Sequence, residues 1–481
     1  MELNSKAQRK TVKNPEGSIV LERRLEIQLY LESANLKIKS DSFYKDAKEK
    51  LNSVLTLGKQ VDMDYELGLA KFLADKGIKL SPVVLLSILS DRKLSFRDKK
   101  VEYVFNVPGR IAEAIALNNL GLVKLNNSFK KNVLKPSLEN MSEVTLRKNK
   151  MRRRKIKTAD LIKLLRAKPR DEKMAKLYKA LIENSKEASL KDNENIVSIK
   201  SSTKLNEEEK KELIDTNLEK MPINQIIRNM KFLADKYDFK KNIELQKRII
   251  EKFNSVKDYK LLNIFDIITA ATYVPQFEKA LYEVVKRFVE VTRKEFDFPQ
   301  DATLLFDVSG SMSGTGKELG FKYAILFSLL MKDLKLRTFS NYLNQDKKEL
   351  DNVVKKIQQG SFKEASEIFD KHFQKYSGGT ALLDSALALL KEDAEIKNLV
   401  CVTDEVSWEK QNLTGSIAEL SKKMNGKNLF IVNPVVYNGT VFDKNVVAIS
   451  SLNPSVLIDF AIFLDEKGFI EYIKNYKRNG I

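Results

Sequence analysis

The sequence predicts an α + α/β protein, in which an array of short helices precedes a doubly wound α/β domain. Two observations support this prediction. Up to about residue 296, apolar residues recur at helical spacing in short pieces separated by Gly or Pro, as in 65–77 and 108–121. After residue 300, apolar runs that are typical of buried parallel strands alternate with helical patterns.

The helical part follows a polar N-terminal segment, residues 1–40, and is expected to span 41–296. Further helical stretches occupy 158–169, where Thr158 has the pattern of an N-cap, and 221–236. The hexapeptide KFLADK occurs at 71 and again at 231, 160 residues later. This distance corresponds to about four helical-pair repeats of ordinary length. Many short amphipathic helices favour a stacked array over a single bundle.

The α/β part, residues 297–481, is expected to form one domain. Apolar runs predict strands at 302–308, 334–339, 398–403, 429–437 and 445–450. Helical spacing predicts helices at 317–333, 347–373, 381–391, 413–424 and 454–465. In such domains ligands bind at the carboxyl ends of the strands.

Composition excludes several classes of protein. The chain has 481 residues with one cysteine, Cys401, and one histidine, His372, which rules out a disulfide framework and a cysteine-rich zinc module. Cys401 lies in a predicted strand and should be buried, whereas His372 lies among polar residues and should be at the surface. No apolar run reaches the roughly 20 residues of a membrane span, and the N-terminus does not resemble a signal peptide. We therefore expect a cytoplasmic protein with no membrane partner.

The excess of basic residues is confined to the helical part. The net charge is +20, from 85 Lys and Arg against 65 Asp and Glu, and the whole excess lies in residues 1–300. Residues 141–170 alone hold 12 basic and 2 acidic residues. Like charges this dense repel one another unless a counter-charge lies opposite them, and consecutive arginines suit phosphates. The pattern indicates a nucleic-acid partner, without distinguishing DNA from RNA.

A second motif follows the first strand of the α/β part. Asp307, Ser309 and Ser311 offer one carboxylate and two hydroxyl groups at alternate positions. Thr380 lies in a glycine loop before a helix, and Asp404 follows another apolar strand. An oxygen-only cluster suits a hard divalent cation, most simply Mg²⁺. These five residues resemble the metal-ion-dependent adhesion site of von Willebrand factor A domains, and the competing interpretation is that they only cap helices and form turns.

No catalytic residue is predicted. The stretch 310–317 fails the phosphate-loop pattern because its two glycines are one residue too far apart and Glu318 replaces the Ser or Thr. A dinucleotide fingerprint at 314–320 also has one residue too many. A nuclease is disfavoured because no acidic cluster with two-metal spacing accompanies the basic strip. We expect a binding protein and not an enzyme.

Over most of residues 60–410 the chain resembles the Ro 60 kDa autoantigen family, in which a TROVE module precedes a von Willebrand factor A domain. The resemblance rests on four stretches, at 81–89, 147–169, 218–230 and 303–312. In the third, Met221 and Pro222 open a helix that ends in Arg228 and Asn229, as in the family.

The resemblance implies a ring of HEAT-like helical repeats closed by the α/β domain. It also implies a monomer that binds small noncoding Y-like RNA on an outer basic face and single-stranded RNA 3′ ends in a central hole. The role would be RNA quality control or a ribonucleoprotein scaffold, with an exoribonuclease or other protein as a further partner. The outer RNA-binding face would consist of Arg147, Lys148, Lys150, Arg152, Arg153, Arg154, Lys155, Lys157, Lys163, Arg166 and Lys168.

Three other residues are expected near bound RNA. Tyr103, Phe105 and Arg110 could stack on bases, although packing of both aromatic rings in the core is the favoured interpretation.

Three departures from the family pattern leave an alternative open. Arg166 stands where the family has an RNA-contacting histidine, which leaves open whether the RNA is a Y RNA. The third metal loop reads Asp404-Glu405-Val406-Ser407, and Ala381 follows Thr380 where an acidic residue is common. The alternative function is a divalent-metal-dependent protein-interaction module with the helical array as scaffold.

Overall fold

The computed structural model describes a series of ranges along the chain. These are residues 11–13, 19–21, 24–34, 36, 44–76, 78–148, 156–184, 206–218, 221–236, 242–256, 262–404, 423–424, 427–434, 441–443, 446–450 and 456–476.

Short helices make up the first part of the chain. In chain order they are α1 (Leu25–Ala34), α2 (Tyr44–Gln60), α3 (Met63–Asp75), α4 (Ser81–Asp91), α5 (Pro108–Asn119), α6 (Asn127–Phe129), α7 (Lys135–Glu139), α8 (Glu143–Lys148), α9 (Thr158–Leu165), α10 (Glu172–Ile182), α11 (Glu207–Asn217), α12 (Ile223–Arg228), α13 (Met230–Lys236), α14 (Ile243–Asn254), α15 (Ile264–Tyr273) and α16 (Glu278–Glu295). Helices close in sequence pack on one another, as α3 does on α4 and α15 on α16. This is the predicted helical array, and both copies of KFLADK lie largely in helices, α3 and α13.

Two details of the helical part differ from the expectation. The N-cap of α9 is Lys157, whose backbone N–H donates to Asp160 Oδ2 at 2.8 Å, while Thr158 is the first helical residue and is fully buried. The polar sequence at 184–212 is typical of an exposed connection, but Asn206 and Glu209 form a reciprocal capping box that starts α11 within it.

The second part of the chain is an α/β fold around one sheet. Its strands are β3 (Asp301–Asp307), β4 (Asp333–Phe339), β5 (Asn398–Val402), β6 (Asn428–Asn433), β7 (Val441–Asp443) and β8 (Val446–Ser450). Its helices are α17 (Thr315–Leu330), α18 (Lys347–Gln358), α19 (Phe362–Tyr376), α20 (Leu382–Glu392) and α21 (Val456–Leu464). The doubly wound prediction is confirmed, and the helix expected at 413–424 lies almost wholly outside the described residues.

The sheet order explains where a ligand would bind. The five strands β8-β6-β5-β3-β4 are parallel, with β3 between β5 and β4. The chain runs from β3 outward to β4 and then returns to the other side of β3 as β5, so the connection reverses between β3 and β5. At such a switch point the carboxyl ends of neighbouring strands leave an open crevice.

Three short strands extend the sheet beyond the predicted set. The strands β1 (Thr11–Lys13) and β2 (Ile19–Leu21) form an antiparallel pair, β2 runs parallel to β7, and β7 runs antiparallel to β8. The sequence pattern did not indicate them because three residues are too few to show an alternation.

The chain divides into two compact units that are each discontinuous in sequence. One unit contains residues 1–23 and 219–466, and the other contains residues 24–218 and 467–481. The units therefore do not coincide with the ranges 41–296 and 297–481, which mark a change in secondary structure; those domain limits stay a prediction.

The last helix, α22 (Glu466–Lys474), lies almost wholly in the second of these units. A Cβ atom on Gly68 of α3 would lie 1.9 Å from the Ile473 carbonyl oxygen, so only glycine allows this approach. Farther along, the Tyr476 hydroxyl donates to Asp75 Oδ2 at 2.9 Å. Within the described residues, no helix combines the length and the apolar character needed to cross a bilayer.

Candidate functional site: a metal centre at the strand ends

Asp307 is the last residue of β3 and is fully buried. The apolar residues before it form a strand that is buried on both faces, which carries the carboxylate to the edge of the sheet. Its Oδ1 accepts a hydrogen bond from the Ser309 backbone N–H at 2.8 Å, and its Oδ2 accepts one from Thr403 Oγ1 at 2.6 Å. The side chain is therefore held from two different strand ends.

The hydroxyl groups of two serines connect the loop after Asp307 to Asp404, which lies two residues beyond the end of β5. Ser309 Oγ lies 3.0 Å from Ser311 Oγ, and Ser311 Oγ donates to Asp404 Oδ1 at 3.0 Å. The structure thus brings together four of the five residues of the sequence motif, at the switch point of the sheet. Ser311 is exposed while Asp307 and Ser309 are buried, so the cluster opens to solvent on one side.

The loop that carries Thr380 is fastened beside this cluster. The Gly310 backbone N–H donates to the Gly378 carbonyl at 2.9 Å, and the Ala381 N–H donates to the Ser340 carbonyl at 2.8 Å. Thr380 itself lies between these two bonds and is half-buried.

Asn341 packs against the same loop. A Cβ atom on Gly379 would lie only 2.4 Å from Asn341 Oδ1, so a side chain at position 379 would require the exposed Asn341 side chain or the loop to shift. Asn341 therefore lies close against the backbone that leads into Thr380.

The electrostatics of the cluster fit a cation. Burial raises the pKa of Asp307 to about 6, with a smaller contribution from the nearby Asp404, while hydrogen bonds from Thr403 and Ser309 oppose the shift. Burial also raises the pKa of Asp404. Among the described residues neither carboxylate has an ion-pair partner. Two neighbouring acids surrounded by hydroxyl groups are a donor set that suits a hard divalent ion such as Mg²⁺.

His372 does not lie at the surface, as its polar neighbours suggested, but is fully buried. It lies three residues after Phe369 on the inner face of the amphipathic helix α19. Its Nε2 lies 2.7 Å from Thr338 Oγ1 and its Nδ1 lies 2.9 Å from Glu349 Oε2.

The bonding around His372 argues against a metal site, although Asp346 and Glu349 place carboxylate oxygens near the ring. Asn344 Nδ2 donates to Thr338 Oγ1 at 3.0 Å, so the histidine belongs to a hydrogen-bonded chain that runs from Asn344 through Thr338 to Glu349. Both ring nitrogens are then engaged. Lys375 Nζ also pairs with Asp346 at 2.5 Å, so one of the two carboxylates is already neutralised.

The basic face predicted for RNA is only partly described by the structure. Lys157, Lys163, Arg166 and Lys168 are exposed on and around α9. Arg166 ends that helix in the left-handed conformation, with φ of 49°. Lys148 ends α8, with its side chain outside the described part. The remaining members lie outside the described residues: Lys150, Arg152, Arg153, Arg154 and Lys155.

Arg147 is less available than its neighbours. Its guanidinium contacts Glu143 Oε1 at 2.7 Å from Nη2 and 2.8 Å from Nε. Lys173 Nζ reaches the other oxygen of Glu143 at 2.6 Å. One acid therefore partly neutralises two cations at the end of α8, and the pKa of Glu143 is lowered by these hydrogen bonds.

Of the three residues that could stack on bases, one lies in the core and two are half-buried. Phe105 is fully buried, and its ring packs edge-on against Phe129 with 5.6 Å between centroids. Arg110 is half-buried and donates from Nη1 to the Val104 carbonyl at 2.7 Å, and burial lowers its pKa. Tyr103 is half-buried as well. The favoured interpretation, packing in the core, is confirmed for Phe105, and Cys401 is buried as expected.

Sequence reasoning missed two residues of the metal cluster's surroundings. Thr403 donates a hydrogen bond to Asp307. It directly precedes the predicted ligand Asp404 at the end of an apolar strand, and this position could have indicated that it lies beside the cluster. Asn341 gave no such signal, because its contact with Gly379 depends on how two loops meet in space.

Comparisons with known proteins agree with the resemblance at the level of fold. No family model matches the sequence, and no curated protein matches it. Among solved structures, the chain is similar to the Deinococcus radiodurans Ro (RSR) protein, with a TM-score of 0.52 and 13% sequence identity over 91% of this chain and 99% of that chain. The helical array and the Rossmann-like domain thus follow each other as they do in that protein. This chain has the fold of a Ro protein.

Proposed function

We propose that the protein binds RNA in the manner of Ro proteins, without chemistry of its own. The observation that carries the proposal is the coincidence of this fold with a basic excess that is confined to residues 1–300. A small structured, Y-like noncoding RNA would bind the basic face around α9, and single-stranded 3′ ends would enter the central hole. The cellular role would be RNA quality control or a ribonucleoprotein scaffold.

The physical basis of binding is the neutralisation of phosphates. Lysine and arginine side chains displace counterions, so affinity falls with salt at a slope of about −0.7 for each phosphate contacted on a single strand. The exposed Lys163, Arg166 and Lys168 support this role, since none of them has an ion-pair partner among the described residues. Arg147 would contribute less because Glu143 already holds it.

The metal cluster would hold Mg²⁺ through Asp307, Ser309, Ser311, Thr380 and Asp404. A bound ion would offer a free coordination position to an anionic group of a partner. Hydrogen bonds from Ser309 and Thr403 position the Asp307 carboxylate, and no lysine or arginine among the described residues pairs with it. An exoribonuclease is one class of protein that such a site could recruit.

Purification of the protein from its host, followed by sequencing of the RNA that accompanies it, tests the main proposal. One abundant small structured RNA would support the scaffold role and identify the partner. A spread of fragments with free 3′ ends would support surveillance without a dedicated Y RNA. The absence of any enriched RNA would contradict the proposal.

A second candidate function is a metal-dependent protein-interaction module. The observation in its favour is that the oxygen cluster opens to solvent at the exposed Ser311 and beside the exposed Gly378 and Gly379. This function predicts that one defined protein co-purifies with the wild type in Mg²⁺, is released by EDTA and does not co-purify with Asp307→Ala. Equal recovery of that protein from the wild type in Mg²⁺, the wild type in EDTA and Asp307→Ala would contradict this function.

A further inference from the structure

A cavity of about 330 Å³ lies between α15, α17 and α19, within the compact unit that contains the sheet. Its volume is at the lower end of the range for small-ligand sites, about 300–1,000 Å³, and is sufficient for one nucleoside. It does not contain the metal cluster or any member of the predicted basic face.

Tyr273, the last residue of α15, lines this cavity and is unusually open. Its side chain is 61% exposed, and its hydroxyl has no hydrogen-bond partner among the described residues. Lys231 of α13 lies over the ring in a cation–π contact, with Nζ 5.6 Å from the ring centroid. Lys231 itself is exposed and has no ion-pair partner in the described part of the chain. The Tyr273 ring is nevertheless largely exposed, so its remaining surface can stack on a base, and the exposed Lys231 provides a cation for the phosphate.

The rest of the lining is polar but close to neutral. Lys317 pairs with Asp370 at 2.9 Å, and Lys363 lies 3.9 Å from Glu367. Lys322 is half-buried and burial lowers its pKa, while Glu318 and Asp266 act in the opposite direction. Because these lysines are matched by acids, the interior suits a neutral polar group better than a phosphate.

Hydroxyl groups complete the cavity. Thr269 and Thr272 donate their protons to backbone carbonyls one helical turn earlier, so their lone pairs remain available as acceptors. Ser366 is half-buried on the facing helix and has no partner among the described residues. A nucleobase presents N–H donors and carbonyl acceptors that match such groups.

We infer that the cavity binds one nucleotide of a single-stranded RNA, with the base stacked on Tyr273 and the phosphate at Lys231. This inference rests on the proposed function, which it extends to a specific subsite. The group that the cavity would bind is a nucleoside monophosphate, either as one unit of an RNA strand or as a free nucleotide.

The test uses the full chain and a fluorescently labelled oligoadenylate of ten nucleotides. Tyr273→Ala should weaken binding about fivefold or more, since it removes one stacked base, and Tyr273→Phe should bind like the wild type. Tyr342→Ala is the matched control, because Tyr342 is 63% exposed and lies outside the cavity. Lys231→Gln should reduce the slope of log affinity against log salt by about 0.7.

The outcomes separate this inference from the proposed function. A wild type that binds neither oligoadenylate nor any structured RNA that accompanies it from the host would overturn both, whereas a wild type that binds structured RNA but no oligoadenylate would overturn the subsite alone. Wild-type affinity in a folded Tyr273→Ala variant, or an equal loss in Tyr342→Ala, would overturn the subsite alone. In a further outcome, AMP would raise the melting temperature of the wild type but not of Tyr273→Ala, and neither protein would bind oligoadenylate. That result would assign the cavity to a free nucleotide and overturn its RNA role.

Discussion

Ser311 and Asp404 are separated by 93 residues in the chain, yet the Ser311 hydroxyl donates a hydrogen bond of 3.0 Å to Asp404 Oδ1. This contact joins the loop after β3 to the loop after β5 and thereby closes the oxygen cluster. It also places two acids, Asp307 and Asp404, next to each other with only hydroxyl and amide groups between them. The predictions about metal binding depend on this arrangement.

Replacement of Asp307 should remove Mg²⁺ binding and leave RNA binding largely intact. Asp307→Ala deletes the buried carboxylate at the centre of the cluster, so Mg²⁺ should no longer raise the melting temperature. Asp301→Ala is the matched control, because Asp301 begins the same strand and is exposed. Melting curves with and without Mg²⁺, together with RNA affinity, check this. Simultaneous loss of RNA affinity would mean that the metal site and the RNA face are coupled.

Without metal, Asp307 should make stability depend on pH. Its pKa of about 6 in the folded protein exceeds the ordinary value of 3.8, so between these values the folded state binds more protons than the unfolded state. Stability should therefore fall as pH rises from about 4 to 6, by at most about 3 kcal/mol.

Denaturant unfolding in EDTA at pH 4.5 and pH 7 checks this effect. Asp307→Asn, which keeps the shape but cannot ionise, should lose less stability than the wild type over that interval. Mg²⁺ should act in the opposite direction and stabilise the wild type more as pH rises, since it needs the carboxylate. An identical pH profile for the wild type and Asp307→Asn would contradict the assignment.

Gly379→Ala should weaken Mg²⁺ binding roughly tenfold without unfolding the protein, as losses of supporting contacts at metal sites commonly do. The added Cβ would lie 2.4 Å from Asn341 Oδ1, so either the exposed Asn341 side chain or the loop that carries Thr380 must shift. The double variant Gly379→Ala with Asn341→Gly removes this contact and should recover part of the affinity. Isothermal titration with Mg²⁺ measures both effects, and unchanged affinity in Gly379→Ala would show that the Asn341 side chain moves aside and the loop keeps its place.

Reversal of the arginine run should abolish RNA binding. Changing Arg152, Arg153 and Arg154 to Glu removes up to three phosphate contacts, which would also reduce the salt slope by about 2. The matched control reverses three lysines of the α/β part that are exposed and have no described ion pair: Lys348, Lys355 and Lys371. Unchanged RNA affinity in a folded arginine variant would refute the surface assignment.

Much of the fold could be predicted from the sequence because the strongest signals are local. The run 302–308 predicted β3 to within one residue, since a buried parallel strand needs continuous apolar residues. The metal motif was visible because ligands at alternate positions follow that strand directly.

What could not be predicted depends on contacts between distant segments. His372 appeared exposed because its sequence neighbours are polar, but helix periodicity turns it inward, where Thr338 and Glu349 bond it. The three-residue strands β1, β2 and β7 exist only because a sheet edge is available to pair with them. The same holds for Asn341, whose role follows from the meeting of two loops.

The position of the helix α22 has a consequence for biogenesis. Tyr476 bonds Asp75 across 401 residues of sequence, and residues 467–481 belong to the same compact unit as residues 24–218. During translation that unit must wait for about 250 intervening residues before its last helix is synthesised. Contacts of such long sequence separation slow folding because a large loop must close first. Until then, the face of α3 that carries Gly68 and Phe72 lacks the helix that packs on it in the folded protein.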